Sequence, residues 1–441
     1  MKTYPKMKDS GIKWIKKIPE HWDVKRLKFT TKFDLSTVDR HEDHEFQVSI
    51  CHYPQVYNNE KIIDLTELSS GTCTKKEIEK FRLKKDDVLI TKDSETPDDI
   101  GVPAYVVDDL QNTVCGYHVA QLTTNKKELL GLFLFRFIQS DVVNAYFETE
   151  SNGVTRFGLG KDSIANLNVV IPSILEQNSI SCFIDIETSK INLEITKNQK
   201  LIKLLKEKHQ SIINHAVTKG LDPTVPMKNS GIEWIGKIPQ HWEFKKIKWD
   251  TNVMRGASPR PIDDPKYFDD DGEFSWVRIS DVTSSNGFLK QTEQKLSELG
   301  ANLSVKLNVG ELFLSIAGSV GKQCITHIPC CIHDGFVYFP MLKLLKKYLY
   351  FIFEAGECYK GLGKLGTQLN LNTDTIGNIV VPYPPKNEQK LIADYLDNQT
   401  SKINSLIHKT EIQIEKLHEL RQSLISSVVT GKINVLQEIV T

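Results

Sequence analysis

Residues 176–218 and residues 388–430 carry one pattern twice, the second copy 212 positions after the first and without a gap. Thr188–Asn192 (TSKIN) returns as Thr400–Asn404, and neither copy contains a proline or glycine to break a helix. Ile184, Thr188, Ile191, Ile195, Asn198, Ile202, Leu205, His209, Ile212 and Ala216 follow alternating steps of four and three. The equivalent slots of the second copy hold Leu396, Thr400, Ile403, Ile407, Thr410, Ile414, Leu417, Arg421, Leu424 and Val428. Such spacing, kept over more than four heptads, predicts a helical seam. Polar residues interrupt it at matching slots (Thr188/Thr400, Asn198/Thr410, His209/Arg421), and a buried polar layer fixes register at a cost in stability. Each helix is expected to find its partner in the other, within one chain. A helix of roughly 45 residues spans about 65 Å at about 1.5 Å per residue, which suits a spacer between two bodies.

A second repeat opens each half. Met7–Trp22 (MKDSGIKWIKKIPEHW) returns 220 positions later as Met227–Trp242 (MKNSGIEWIGKIPQHW), with 12 of 16 residues identical. Each half then reads as opener, variable block, long helix. The drop in offset from 220 to 212 makes the second block eight residues shorter. Such a period is too long for a solenoid and fits two pseudo-symmetric halves. Both blocks hold short strand-like runs, at Asp87–Thr91 and Glu311–Ser315, then at Ala104–Val107 and Gln323–Thr326. Both follow with an apolar helix-like run, Leu129–Ser140 and Leu345–Gly356, and end in NVVIP or NIVVP before the long helix. A repeated frame with divergent inserts is the pattern of two modules doing one job on different targets. The four opener tryptophans Trp14, Trp22, Trp234 and Trp242 are framed identically, which points to packing against the helices rather than stacking on a ligand.

Composition excludes several classes. No apolar run approaches the roughly 18 residues of a membrane span, and MKTYPKMKDSG lacks the apolar core of a secretory signal. The eight cysteines form no CxxC pair, so reduced thiols in a cytoplasm are expected. Net charge is zero, with 56 basic and 56 acidic residues, but residues 1–32 carry ten Lys/Arg against three acids. A basic patch on a neutral protein leaves nucleic-acid binding open.

Catalytic patterns are thin. GSVGK at Gly318–Lys322 has Ile316 where a phosphate-binding loop needs its first glycine and Gln323 where it needs Ser or Thr, so a turn between strands is expected. No Asn-Pro-Pro-Tyr or Asn-Pro-Pro-Phe tetrad of methyltransferase type occurs. Asp263 with Glu293-x-Lys295 fits a nuclease loosely, but E-x-K also occurs at Glu243 and Glu388 within the repeated frame. His41, His44, Cys51 and His52 read as a polar loop rather than a metal site. No catalytic and no metal-ligating residue is expected.

The opener, Arg255–Asp281 with its Gly-x-Ser-Pro loop and Trp-Val pair, Val309–Lys322, and the proline-rich lead into Glu-Gln and a long helix ending in Val429–Gly431 together carry a family. Along essentially its whole length the chain resembles the DNA-specificity subunit of type I restriction–modification enzymes. The first block lacks the Gly-x-Ser-Pro loop and the Trp-Val pair; its role follows from its place in the frame. The resemblance implies an α+β chain. Two pseudo-symmetric target-recognition domains of mixed α/β structure would be separated by two long antiparallel helices forming an intramolecular coiled coil. The expected division is residues 1–172 (opener 7–28), 173–220, 221–385 (opener 227–248) and 386–441. The helix-pair seam is Ile184, Ile191, Ile195, Asn198, Ile202, Leu205 and Ile212 with Leu396, Ile403, Ile407, Thr410, Ile414, Leu417 and Leu424.

The resemblance further implies a non-catalytic, cytoplasmic subunit of a prokaryotic host-defence enzyme. Each domain would read one half of a split, asymmetric double-stranded DNA site. Two methyltransferase subunits would dock on the helices, and two helicase–nuclease subunits would complete the restriction enzyme. No cofactor belongs to this chain; S-adenosylmethionine, ATP and Mg2+ would sit on the partners. Base readout favours Arg, Asn, Gln, Ser and Thr in loops, and phosphate contacts favour Lys and Arg. In the second block these are Arg255, Ser258, Arg260 and Arg278, with Lys364, Thr367 and Gln368 in the glycine-rich GLGKLGTQ. Their first-block counterparts are Thr155 and Arg156 in SNGVTRFG, with Lys92 after a strand. The competing reading is a coiled-coil scaffold joining two protein-binding domains that touch no DNA.

Overall fold

The structure is a computed structural model describing residues 3–38, 45–63, 67–362 and 371–436. The long helices run Ile174–Lys219 and Lys386–Val429. The chain divides into two compact units, residues 1–199 with 412–441 and residues 200–411. Each unit holds one globular block and part of each helix.

In the first unit the opening of the first helix meets the close of the second. Ile184, Ile191 and Ile195 share a core with Ile414, Leu417, Leu424 and Val428. In the second unit Ile213, Ala216 and Val217 meet Ile392, Ala393 and Leu396. The helices are therefore antiparallel within each unit. Ile202, Leu205 and Ile407 are half-buried, as a two-helix seam requires, while Ile403, Asn198 and Thr410 are buried.

Ile212 is half-buried like the seam residues Ile202, Leu205 and Ile407 and packs on the second unit's core beside the fully buried Ile213. There the helix packs on a globular core as well as on its helical partner; Tyr348 Oη donates to Val217 O at 3.0 Å. One detail of the expected seam is corrected: the polar slots His209 and Arg421 do not form one layer. Each turns to its own globular block, Arg421 to Glu60 and His209 toward Glu354. Antiparallel packing sets each helix start against the other's end, so equivalent slots do not face one another.

The two blocks share one topology. The first has a five-stranded sheet in the order Thr31–Leu35, Val119–Thr124, Val88–Thr91, Pro103–Val106, Lys61–Ile62. The second repeats it as Met254–Arg255, Phe336–Tyr338, Leu312–Ser315, Gln323–Thr326, Phe288–Leu289. The last pair is parallel in both. All four residues of Val88–Thr91 and of Leu312–Ser315 are buried, the pattern of a strand covered on both faces. A smaller sheet repeats too: Phe46–Cys51 runs parallel to Thr113–Cys115, and Phe274–Val277 parallel to Cys330–Ile332. The apolar runs form helices Gly131–Ile138 and Lys346–Ala355. GSVGK is a turn between strands, with Gly318 and Gly321 at positive φ.

The openers are clamped to the helix starts. Trp22 Nε1 donates to Glu176 Oε1 at 3.3 Å, and His21 Nε2 lies 2.9 Å from the same oxygen. In the second unit Trp242 Nε1 donates to Glu388 Oε2 at 2.9 Å, with His241 2.8 Å from Oε1. The following glutamine holds the apolar helix: Leu130 N donates to Gln177 Oε1 and Leu345 N to Gln389 Oε1, each at 2.8 Å. The Glu-Gln pair is thus a two-pronged joint. Trp22 and Trp242 are fully buried. Trp14 departs from the expected packing: it is 36% exposed and shares a cleft with Phe137, Val142 and Tyr146 rather than with a long helix.

Candidate nucleic-acid interface

In the second block the Gly-x-Ser-Pro loop folds against the turn His333–Gly335. Gly256 permits this approach, since a Cβ there would lie 2.2 Å from His333 O. Ala257 N then donates to Ile332 O at 3.2 Å. Ser258 Oγ donates to Asp334 Oδ1 at 2.9 Å, Arg260 Nη2 to Oδ2 at 3.1 Å, and Arg255 Nε to the Asp334 carbonyl. Burial opposes the charge on Asp334, but the Ser258 hydroxyl and the Arg260 and Arg255 charges hold its carboxyl below the ordinary value. The arginine side chains stay 59% (Arg255) and 72% (Arg260) exposed. Asp334 therefore orients two guanidinium groups that keep free donors toward solvent.

Arg278 joins them from the neighbouring sheet. It caps helix Ile279–Ser284, where its N–H donates to Asp281 Oδ2 at 2.7 Å, and its Nη2 donates to Gln294 Oε1 at 2.6 Å. Burial holds the His333 imidazole below its usual pKa, with Arg255 and Arg278 adding in the same direction and Asp334 opposing. Trp276 is buried core, and His333 packs 5.8 Å from it. Arg255, Ser258 and Arg260 thus gather on Asp334, and Arg278 lies close enough to His333 to act on its charge. Asp334, His333 and Gln294, which organise it, carry no motif; their only signal was the loop's glycine. Lys364, Thr367 and Gln368 lie outside the described residues, as do His41 and His44.

The first block builds the equivalent place from other residues. Val119 pairs with Thr91 as Phe336 pairs with Ser315, so the turn Gly116–His118 corresponds to His333–Gly335. Here the hub is Asp93, with Lys92 Nζ at 2.5 Å and His118 Nδ1 at 2.5 Å. Lys92 is 15% exposed and lies 5.1 Å over the Tyr117 ring, not free in solvent. Burial opposes ionisation of Asp93, yet Lys92 and His118 hold it below the ordinary carboxylate value. Thr155 and Arg156 sit at the exposed end of the hairpin Asn152–Gly158, whose second strand pairs with Asp93–Ser94. Val154 at that tip is 92% exposed. Arg156, Tyr53, Asp93, Asp99 and His118 line a cleft of about 410 Å³. Among the described residues no cluster of His, Cys, Asp and Glu could hold a metal. All eight cysteines are free, and only Cys182 is exposed. No helix of the described residues is long and apolar enough to cross a membrane.

Two blocks of one topology, each with its own polar side chains at the equivalent turn, make a duplicated α/β frame joined to two long helices. The model of the type I restriction modification DNA specificity domain matches residues 54–203 and 239–416, and the chain belongs to that family. It is a specificity subunit of type I restriction–modification. The putative type I restriction enzyme MjaX specificity subunit of Methanocaldococcus jannaschii is 23% identical, over 96% of each chain. The EcoKI specificity subunit of Escherichia coli is 24% identical over 45% of this chain and 44% of its own. Among solved structures, a chain described under complex assembly and conformational transition of the type I R-M system aligns with TM-score 0.74 and 16% identity. It covers 94% of this chain and 99% of that one. The HsdS subunit of Thermoanaerobacter tengcongensis aligns with TM-score 0.54 and 16% identity, over 94% and 98%.

Proposed function

We propose that the chain is the non-catalytic DNA reader of its enzyme, each block reading one half of a split, asymmetric double-stranded site. The observation that carries this reading is the Asp334 hub, which presents Arg255 and Arg260 outward while the equivalent hub at Asp93 presents different groups. Arginine donors held in a fixed fork suit guanine edges and phosphates. Unlike side chains on one topology suit unlike half-sites. The helix length between the readers would set the number of unread base pairs. Two methyltransferase subunits would dock on the helices and bring S-adenosylmethionine; helicase–nuclease subunits would bring ATP and Mg2+ chemistry, all in a cytoplasm.

Gel-shift titration of a duplex carrying the methylated site, with the methyltransferase partner present, tests the reading. Affinity should fall steeply with salt and collapse when either half-site is scrambled. A complex that ignores both half-sites would favour the protein-binding scaffold instead.

A further inference from the structure

The second unit contains a cavity of about 800 Å³ for which the DNA reading has no use. Its rim carries Lys206, Lys322, His408 and Glu411, and its floor is made by His209 and Glu354 with Tyr350, Phe353 and Tyr359. His209 Nε2 and Glu354 Oε2 are both buried without a hydrogen-bond partner among the described residues. His209 comes no nearer than 4.0 Å to the Glu354 carboxylate. A buried carboxylate oxygen without a donor is costly.

The first unit shows what fills the same place there. Glu60 O accepts from Tyr105 N as Gly287 O accepts from Ile325 N, so Glu60 and Gly287 are equivalent. Gln422 donates to Gln139 O as Gln210 donates to Ala355 O and Glu354 O, which sets His209 at the Arg421 slot. In the first unit Arg421 reaches Glu60, and Arg136 bonds Asp185 (2.5 Å), Gln139 (2.7 Å) and Glu60 (3.4 Å). Two guanidinium groups occupy that site. In the second unit His209 replaces one, no arginine replaces the other, and Gly287 removes the carboxylate. The acid that remains, Asp397 at the Asp185 slot, is paired by Lys347, while Glu354, new at the Gln139 slot, lines the cavity with no donor to its Oε2 among the described residues.

We infer that this cavity is a binding site for a small organic cation, a guanidinium or alkylammonium compound whose charged head takes the place of the missing arginine against Glu354. Phe353 and Tyr359, their rings 6.0 Å apart and 7° from parallel, offer π faces beside that head. The volume lies within the range of small-molecule pockets. The site owes nothing to DNA binding and stands whether or not the chain reads DNA.

Burial, aided by Asp397 and opposed by Lys322, pushes Glu354 up to about 7. Lys206, His209, His408, Glu411, Tyr350 and Tyr359 are the other charged or titratable groups lining the cavity. Burial keeps His209 below its usual pKa, hence neutral over the upper range. Binding a cation therefore requires the Glu354 proton to leave.

Isothermal titration of the full chain with agmatine, which carries one guanidinium and one ammonium, tests the site. At pH 8 one agmatine should bind per chain, and affinity should fall about tenfold per pH unit below about 7, the slope of one linked proton. Glu354→Gln, which copies Gln139 of the first unit, should weaken binding at least tenfold, and Glu298→Gln should not. N-acetylarginine amide is the second ligand: tighter binding than agmatine assigns the site to a protein arginine, weaker binding to a free cation. Absence of saturable binding, equal binding by Glu354→Gln, or affinity independent of pH would each overturn the inference.

Discussion

At the equivalent turn of each block, Asp334 accepts from Ser258 and Arg260, while Asp93 accepts from Lys92 and His118. The architecture is the same but its consequence differs. Asp334 holds arginines that remain mostly exposed; Asp93 holds a lysine that is mostly covered. The openers do the opposite: His-Trp against Glu repeats in both units with nearly the same distances. Joints are duplicated and hubs diverge, as expected when assembly geometry is shared and the target is not.

The largest effect should come from the duplicated joints. Trp22→Ala or Trp242→Ala removes a fully buried ring and a donor to the helix-start glutamate, and each should cost about 3–5 kcal/mol in urea unfolding. Similar losses would sharpen the equivalence; a loss confined to one unit would break it.

The hubs should separate the units. Arg260→Ala should weaken DNA binding by about 1–3 kcal/mol and relax preference in one half-site only. Lys92→Ala, already neutralised by Asp93, should leave the salt slope unchanged, against a drop of about 1 for a lost phosphate contact. Competition titrations against scrambled half-sites check both.

Acid and base should act on the units in opposite senses. Glu354 is raised from 4.5 to about 7, so the unfolded chain releases that proton first. Stability falls as pH rises through that window, and the penalty is complete above about 7. Glu354→Gln should therefore gain about 1–3 kcal/mol at pH 8 and nothing near pH 4. Glu176 is the reverse case and the smallest effect. Burial opposes its charge, but His21, Trp22 and Ser173 hold it below the ordinary value. Its contribution is present above the usual carboxylate range and lost as pH falls through the lowered pKa. Glu176→Gln should cost about 1 kcal/mol at pH 7 and little in strong acid.

The helices were readable because a seam repeats locally, every three or four residues, and survives divergence. The full burial of Ile213 beside Ile212 was not legible, because sequence periodicity assumes one partner, whereas that turn also meets a globular core. The Glu-Gln joint was visible as a repeat, but its use was not, because Glu176 lies 154 residues from Trp22. Part of the common topology was legible, since the paired strand runs and apolar helices hold equivalent places in the two blocks; the smaller sheet was not, because Phe46–Cys51 and Phe274–Val277 share a parallel neighbour but no side-chain pattern. Within the candidate site, Arg255, Ser258 and Arg260 stood out by their Gly/Pro loop, and the structure gathers them on Asp334. Asp334 did not stand out, since its role depends on a turn 74 residues away from Arg260.

The central claim is that each block reads its own half-site. Residues 243–380 can be exchanged for the matching block of another specificity subunit, and methylated adenines mapped genome-wide with the methyltransferase partner present. One half-site should change and the other should stay the same. A site altered in both halves, or in neither, would contradict the account.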